Sequence, residues 1–323
     1  MKAIRIETQG TPDVMKLQDI DLPAPAPHEI TIRHKAIGIN YIDTYHRSGL
    51  YPVKFPSGLG MEAAGTVEAL GSAVTSFKIG DRAAYGSGPI GAYAEANNVP
   101  AARAVKLPDG VSYEVAAAMM LKGMTAQFLL RQTFVVKPGD TILYHAAAGG
   151  VGLIATQWAK HLGATVIGTV GSDEKIATAR ANGCDHVINY RSENVPERVK
   201  EITGGKKLPV VYDGVGKDTF MMSLDCLTPR GLLISFGNAS GPVTGVDLGL
   251  LAAKGSLFVT RPTMFHYAAT DADFQAVAKD LFDVVAKGAV KIQINQRYKL
   301  ADAAQAHRDL EASKTTGATV LVP

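Results

Sequence analysis

Cysteine is almost missing from this chain, which has only Cys184 and Cys226 among its 323 residues. Two cysteines cannot build a disulfide framework or a four-thiolate zinc site, and we interpret both as small packing residues. The formal net charge of +3 is also small for this length. It argues against nucleic acid or a membrane surface as the main partner.

Long apolar runs are missing as well. No segment approaches the roughly 20 consecutive apolar residues that span a bilayer. Residues 1–6 alternate polar and apolar side chains as a strand does, without the apolar core of a signal peptide or the Arg/Ser-rich character of a transit peptide. We therefore expect a cytoplasmic protein with no membrane contact.

The first third of the sequence predicts a β-rich unit. Short strands are expected between Pro and Gly turns at residues 29–33, 61–70, 82–85 and 91–96. Many short strands with such turns are typical of a small barrel or sandwich. The pattern changes after Ser112, which is a candidate N-cap for helices at 113–120 and 123–130.

From residue 141 to about residue 236, predicted strands and helices alternate. This rhythm indicates an α/β fold, a doubly wound parallel sheet with helices on both faces. Amphipathic helices near 271–287 and 301–312 and a last strand at 319–322 follow. We predict a first domain, a Rossmann dinucleotide-binding domain and a return to the first domain, with a ligand cleft between the domains, over residues 1–122, 123–259 and 260–323.

The strongest functional signal is the stretch 144–152, Tyr-His-Ala-Ala-Ala-Gly-Gly-Val-Gly. Its frame is Ala147-x-Gly149-x-x-Gly152, with Ala where the commoner dinucleotide pattern has its first Gly. A bound pyrophosphate needs a strand, a small-residue turn and a helix, because backbone N–H groups and the helix N-terminus then approach the anion. An ordinary tight turn has a similar composition, but the strand before it and the helix after it favour cofactor binding.

The choice between NAD and NADP depends on the end of the next predicted strand, 165–170. That strand lacks the terminal Asp or Glu that accepts hydrogen bonds from the ribose 2′-OH in NAD-binding versions of this fold. Ser172 follows, and Lys175 lies about one helical turn further on. A hydroxyl and an ammonium attract a 2′-phosphate that a carboxylate would repel, so we predict NADPH.

Three neighbours bear on this prediction. Tyr190 and Arg191, at the end of the following strand, are placed to close the same pocket. Asp173 argues against NADPH, because a carboxylate beside Ser172 would repel the phosphate. The same residues are also compatible with an ordinary helix cap and a solvated lysine.

Motifs along the whole chain occur in a characteristic order. The segment 40–52 reads Asn-Tyr-Ile-Asp-Thr-Tyr-His-Arg-Ser-Gly-Leu-Tyr-Pro, and further motifs lie at 60–65, 77–82, 145–152, 210–216 and 235–241. This set resembles the zinc-independent quinone oxidoreductases, which with zeta-crystallin belong to the medium-chain dehydrogenase/reductase superfamily. The resemblance implies a GroES-like catalytic domain, a Rossmann domain, NADPH-dependent quinone reduction and a homodimer formed by joining two Rossmann sheets.

Carried over residue by residue, the resemblance also implies a set of cofactor contacts. They are Asn40, Thr125, Gly149, Gly150, Val151, Gly171, Ser172, Lys175, Tyr190, Phe236, Phe258 and Val259.

Zinc needs separate treatment, because related alcohol dehydrogenases hold it with an early Cys and with the His of a Gly-His-Glu triplet. Here the corresponding neighbourhoods offer Asn40 with Asp43, and a Gly-Met-Glu triplet that ends at Glu62. Methionine is a poor zinc ligand, and the first domain has no Cys. We interpret His46 as a partly exposed polar residue and Glu62 as a structural acid, and we expect no metal.

Without a metal, hydrogen-bond donors must stabilise the oxygen of a reduced quinone. The candidate catalytic residues are Asn40, Tyr45 and Tyr51. The tyrosines also offer an aromatic wall for a planar substrate, or they merely pack a loop. We predict an NADPH:quinone oxidoreductase acting on small quinones. Two alternatives stay open: an NADPH-dependent alkenal/enone reductase, and a cofactor-binding structural or RNA-binding protein.

Overall fold

A computed structural model describes all residues of the chain, Met1–Pro323. The strands are β1 Lys2–Ile6, β2 Lys16–Asp19, β3 Glu29–Ile39, β4 Ser57–Gly58, β5 Glu62–Leu70, β6 Arg82–Gly86, β7 Ala96–Pro100, β8 Val105–Lys106, β9 Thr141–Tyr144, β10 Thr165–Val170, β11 His186–Asn189, β12 Leu208–Asp213, β13 Leu227–Ser235, β14 Phe258–Thr260, β15 Ile294–Lys299 and β16 Ala318–Val322. The α-helices are α1 Tyr41–Ser48, α2 Tyr113–Phe128, α3 Gly150–His161, α4 Ile176–Ala181, α5 Val195–Ile202, α6 Phe220–Asp225, α7 Gly249–Ala253, α8 Met264–Tyr267, α9 Asp271–Ala286 and α10 Ala303–Glu311. None of these helices combines the length and the apolar character that crossing a membrane requires.

The chain divides into two compact units. The first comprises Met1–Met124, Ala268–Lys279 and Ile292–Pro323, and the second comprises Thr125–Tyr267 and Asp280–Lys291. The boundaries fall inside α2 and α9, so each of these helices contributes residues to both units.

The first unit is built around a mostly antiparallel sheet in the order β15-β16-β3-β5-β6-β8, with β7 also paired to β3. A second sheet of three strands has the order β2-β1-β4. Apolar side chains that alternate along the strands, such as Ile30 and Ile32 on β3, meet Tyr85 and Leu321 in one buried cluster. The predicted β-rich unit is therefore present.

The second unit contains a six-stranded parallel sheet in the order β11-β10-β9-β12-β13-β14. Its central strands are apolar on both faces, and Leu143, Ile167, Ile188 and Val211 belong to one core cluster. Both faces of such a sheet must be covered by helices, which explains these continuous apolar runs. The predicted α/β class with a doubly wound parallel sheet is confirmed.

Two local predictions were wrong. Residues 91–96 do not form a strand: the pairing with β3 begins only at Ala96, and Ala94 makes a single bridge to Ala3. The helices predicted at 113–120 and 123–130 are one continuous helix, α2, because Gly123 lies inside it without interrupting its hydrogen bonds. The Ser112 cap is present, since its hydroxyl accepts the Val115 N–H at 3.2 Å.

Candidate functional site

The glycine-rich turn connects β9 to α3 in the second unit. Gly149 precedes the first turn of α3, which contains Gly150 and Val151 and has neither an acidic residue nor a side-chain cap. A Cβ at Gly152 would lie 2.3 Å from the Ala146 carbonyl oxygen, so only glycine allows the helix to pack this closely on the turn. The uncapped N–H groups leave the helix N-terminus suited to an anion.

A buried polar network lies next to this turn. His145 Nδ1 is 2.8 Å from the Thr169 hydroxyl, and its Nε2 is 2.9 Å from the Ser223 hydroxyl. Ser223 in turn donates to Asp213 Oδ2 at 2.8 Å. Burial lowers the pKa of His145. Because the Ser223 hydroxyl gives its proton to Asp213, it accepts from the Nε2–H of His145. The network joins the carboxyl ends of β9, β10 and β12, from which the predicted cofactor loops leave the sheet.

A second group of predicted contacts gathers at the end of β10. The Tyr190 hydroxyl lies 3.0 Å from the position that a Cβ on Gly171 would occupy. A larger residue at position 171 would therefore crowd the tyrosine side chain. Lys175 is half-buried; burial and the positive charge of Arg191 both lower the pKa of Lys175. The structure thus brings two cations together beside Ser172, which is the arrangement that a 2′-phosphate requires. The sequence predicts Arg191 at the edge of this pocket, although the contacts implied by the family resemblance do not include it.

Acidic side chains near this group have partners of their own. The Asp173 carboxylate accepts a hydrogen bond from Asn189 Nδ2 at 2.8 Å, which ties it to the end of β11. Glu174 is hydrogen-bonded to the Ser172 hydroxyl, and this contact lowers the pKa of Glu174. A phosphate would have to take over the Ser172 hydroxyl from Glu174.

The remaining predicted contacts of the second unit are less closely grouped. Phe236 lies just beyond β13, with its ring centroid 5.8 Å from that of Tyr144. Thr125 is half-buried in α2. Phe258 and Val259 lie on β14, the edge strand, where they are 60% and 38% exposed and two strands separate them from β9.

The candidate catalytic residues lie on and next to α1 in the first unit. Asn40 is the N-cap of this helix, and the helix ends at Gly49. The Tyr45 and Tyr51 rings meet edge to face at 5.2 Å, and the Tyr41 ring lies 5.7 Å from that of Tyr45. The segment therefore carries a cluster of aromatic rings beside a side-chain amide.

Two buried acids hold Asn40. Its backbone N–H donates to Asp43 Oδ2 at 2.8 Å, and its side-chain Nδ2 donates to Glu62 Oε2 at 2.7 Å. Glu62 also accepts from Lys122 Nζ at 3.0 Å. Burial raises the pKa of Asp43 to about 7, and the negative charge of Glu62 adds to this rise. These carboxylates serve N–H donors of the protein, and no three His, Cys, Asp or Glu side chains are grouped as metal ligands.

One interpretation from the sequence was wrong. His46 is only 8% exposed, whereas we expected a partly exposed residue. It lies three residues after Asp43 on α1 and therefore on the same buried face of the helix. Its ring centroid is 6.2 Å from that of Tyr51, and burial lowers the pKa of His46.

The other end of α1 is fastened to α10. Arg47 makes a two-pronged contact with Glu311, at 2.6 and 3.0 Å, and donates to His307 Nδ1 at 3.1 Å. Because a guanidinium only donates, His307 must donate its Nε2–H to the Tyr93 oxygen, 3.0 Å away. Tyr93 then donates to Asp43 at 2.9 Å. No pattern in the sequence indicated this series of hydrogen bonds, because the residues that form it come from distant segments.

Comparison with known proteins places these features in a family. Residues 26–109 match the family model described as Alcohol dehydrogenase GroES-like domain, and residues 150–283 match the one described as Zinc-binding dehydrogenase. A quinone oxidoreductase of Pseudomonas aeruginosa is 58% identical over 323 residues, which cover 100% of this chain and 99% of the relative. A 2-haloacrylate reductase of a Burkholderia species is 45% identical and covers 98% of both chains.

A solved structure of a quinone oxidoreductase is similar to this chain over its whole length. The crystal structure of the Escherichia coli quinone oxidoreductase complexed with NADPH has a TM-score of 0.99 and 51% identity, with all of both chains covered. The similarity predicted from the sequence motifs is confirmed over the full length. This chain therefore belongs to the quinone oxidoreductase family of the medium-chain dehydrogenases/reductases.

Proposed function

We propose that this protein is an NADPH-dependent quinone oxidoreductase acting on small quinones. The observation that carries the proposal is the acid-free, uncapped N-terminus of α3 together with the Lys175–Arg191 cation pair. A pyrophosphate fits the first, and a 2′-phosphate fits the second. Gly152 and Gly171 keep the backbone at both places free of side chains. The relatives at 58% and 51% identity support the same cofactor and substrate class.

In this proposal NADPH, when bound, supplies the hydride. Residues of the α3 N-terminus, Gly149, Gly150 and Val151, bind the pyrophosphate through their backbone, and Lys175 orients the adenosine end. Thr125, Phe236, Phe258 and Val259 are further proposed cofactor contacts.

The side chains proposed to contact the substrate lie on and next to α1. Tyr45 and Tyr51 offer O–H donors for the carbonyl oxygen, which gains negative charge as the quinone is reduced. Asn40 offers the one N–H of its Nδ2 that is not donated to Glu62. The clustered tyrosine rings offer flat apolar surface to a planar ring. The reduced oxygen takes its proton from water, so the proposal assigns no general acid among the side chains.

A stopped-flow assay tests the proposal. The full chain is mixed with NADPH and then with benzoquinone, naphthoquinone or an acrolein-like enone, and the loss of NADPH absorbance is followed. We expect turnover with the quinones, and much slower turnover when NADH replaces NADPH. Turnover of the enone with none of either quinone would refute it.

A second candidate function is reduction of a conjugated carbon–carbon double bond. The 2-haloacrylate reductase relative, at 45% identity over nearly the whole chain, favours it. The same substrate panel, extended to 2-chloroacrylate, separates the two functions by their kcat/KM values. A higher kcat/KM for the acrylate than for every quinone would establish the second function.

We also propose a homodimer that pairs the β14 edges of two Rossmann sheets. The edge strand exposes Phe258 and Val259, and an uncovered apolar edge strand is prone to pair with another strand. Light scattering should give twice the chain mass, and Phe258→Asp should shift it to that of one chain. A single-chain mass for the unaltered protein would contradict the proposal.

A further inference from the structure

The carboxylate of Glu62 is the centre of a built polar site in the first unit. Glu62 is fully buried at the start of β5 and accepts three hydrogen bonds. The donors are Asn40 Nδ2 at 2.7 Å, the Leu121 backbone N–H at 2.7 Å and Lys122 Nζ at 3.0 Å. Lys122 is itself buried, so this is an ion pair out of contact with bulk water.

Burying such an ion pair is unfavourable in free energy, and the neighbouring strand leaves space for it. A carboxylate and an ammonium lose their hydration on burial, and only good geometry with further hydrogen bonds offsets that loss. A Cβ on Gly38 would lie 2.2 Å from Glu62 Oε2, so the neighbouring strand leaves room for this oxygen. Apolar residues of similar volume would satisfy packing at lower cost, which suggests a purpose beyond stability.

The consequence of the pair falls on the Asn40 amide. An ionised carboxylate only accepts hydrogen bonds, so the amide must turn its Nδ2 toward Glu62 and its oxygen away. The main chain of Asn40 is held at the same time by Asp43 Oδ2. The side chain of Asn40 also belongs to the capping box of α1, in which it accepts the backbone N–H of Asp43, so the carboxylate and this N–H favour the same orientation of the amide. A neutral neighbour that both donates and accepts would leave only the capping box to select it.

We propose that Glu62, held in its acceptor role by Lys122, is a positioning residue that sets the orientation of the Asn40 amide for quinone reduction. The proposal rests on the function proposed above, in which Asn40 contacts the substrate, and on the place of Asn40 among the predicted cofactor contacts. A purely structural role, in which the pair only fastens α2 to β5, predicts different kinetics.

A double-mutant cycle separates the two roles. Glu62→Gln and Lys122→Met are each made in the unaltered chain and in Asn40→Ala, and kcat, KM for the quinone, the NADPH dissociation constant and Tm are measured. In the unaltered chain each substitution should lower kcat by about tenfold, as loss of an orienting partner does at other sites. In the Asn40→Ala background the further loss should stay within about twofold, because there is no amide left to orient.

Stability provides the contrast. Glu62→Gln should lower Tm in both backgrounds, by less in Asn40→Ala because the 2.7 Å hydrogen bond from Asn40 Nδ2 is already missing there, whereas the loss in kcat should be confined to the unaltered chain. Equal kinetic losses in both backgrounds, or a loss of Tm without any change in kcat, would overturn the proposal. Should a single substitution prevent folding, Glu62→Gln/Lys122→Met removes both charges and gives the same comparison, because replacing both members of a buried pair is often neutral for stability.

A matched control uses another acid of the same unit. Asp81 pairs with Lys106 at 2.8 Å and accepts the Lys78 N–H at 3.0 Å. Its contacts do not include α1, so Asp81→Asn should lower Tm and leave kcat unchanged in both backgrounds. If the unaltered chain fails to reduce any quinone, the proposed function fails, and the cycle is then read on NADPH affinity alone. Additive losses of affinity would overturn the positioning role independently.

Discussion

Removing the hydroxyl of Ser223 tests the buried network next to the glycine-rich turn. This hydroxyl accepts from His145 Nε2 at 2.9 Å and donates to Asp213 Oδ2 at 2.8 Å. Ser223→Ala leaves the His145 N–H without an acceptor, which costs about 1–3 kcal/mol when buried. It also removes one hydrogen bond to a carboxylate, worth about 1.5–3 kcal/mol. Asp213 keeps the hydrogen bond from the Thr219 hydroxyl at 2.8 Å. The two costs together give an expected loss of about 2.5–6 kcal/mol.

The assay follows urea unfolding by tryptophan fluorescence. Trp158 is the only tryptophan of the chain and is fully buried in α3, so its signal reports the second unit. The midpoint urea concentration should fall at an unchanged slope. Ser192→Ala, at an exposed serine of the same unit, should stay within about 0.5 kcal/mol of the unaltered protein. The network would be refuted if the Ser223→Ala midpoint matched that of this control.

Three further predictions address the cofactor, pH and metal. Lys175→Met should raise KM for NADPH about 10- to 100-fold and leave KM for NADH nearly unchanged, since only NADPH has a 2′-phosphate; equal losses in steady-state assays would contradict this. Unfolding in urea should become easier from pH 6.5 toward 4, because burial lowers the pKa of His34 to about 4 and that of His307 to about 3, so that only the unfolded chain takes up these protons. Asp43, whose pKa is raised to about 7, has the opposite effect on stability because the folded chain binds its proton more readily than the unfolded chain. It contributes one proton, whereas the two histidines contribute two. His34→Gln should therefore flatten the pH dependence of unfolding, and an unchanged pH profile would contradict this prediction. Dialysis against EDTA should leave quinone reduction intact, because Asp43 and Glu62 already serve N–H donors; loss of activity restored by zinc would be the contrary result.

The elements with regular local patterns were predictable. The alternation of apolar strands and helices from residue 141 predicted the parallel sheet, and the glycines between β9 and α3 predicted the turn. These features depend on spacings of a few residues, which any window of the sequence displays. The short helix α1 was not predicted as a helix, because its eight residues are mostly aromatic, charged or polar, and its buried residues include Asp43, His46 and Arg47 in place of aliphatic side chains.

The errors share a cause. Residues 91–96 alternate like a strand, but their backbone groups bond to other partners: the Tyr93 N–H donates to Leu59 and its carbonyl accepts from Ile4. His46 is polar in sequence and buried in the fold, because α1 turns that face inward. In both cases a tertiary neighbour, absent from the local pattern, decided the outcome.

The sequence by itself therefore determined the fold class, the glycine-rich turn between β9 and α3 and the residues available for chemistry, because each depends on neighbours along the chain. Only the tertiary structure decided which of them work together. Lys122 meets Glu62 across 60 residues, Ser223 meets His145 across 78, and Glu311 meets Arg47 across 264. Such pairs form when strands and helices from distant segments pack side by side, and no local periodicity records that packing.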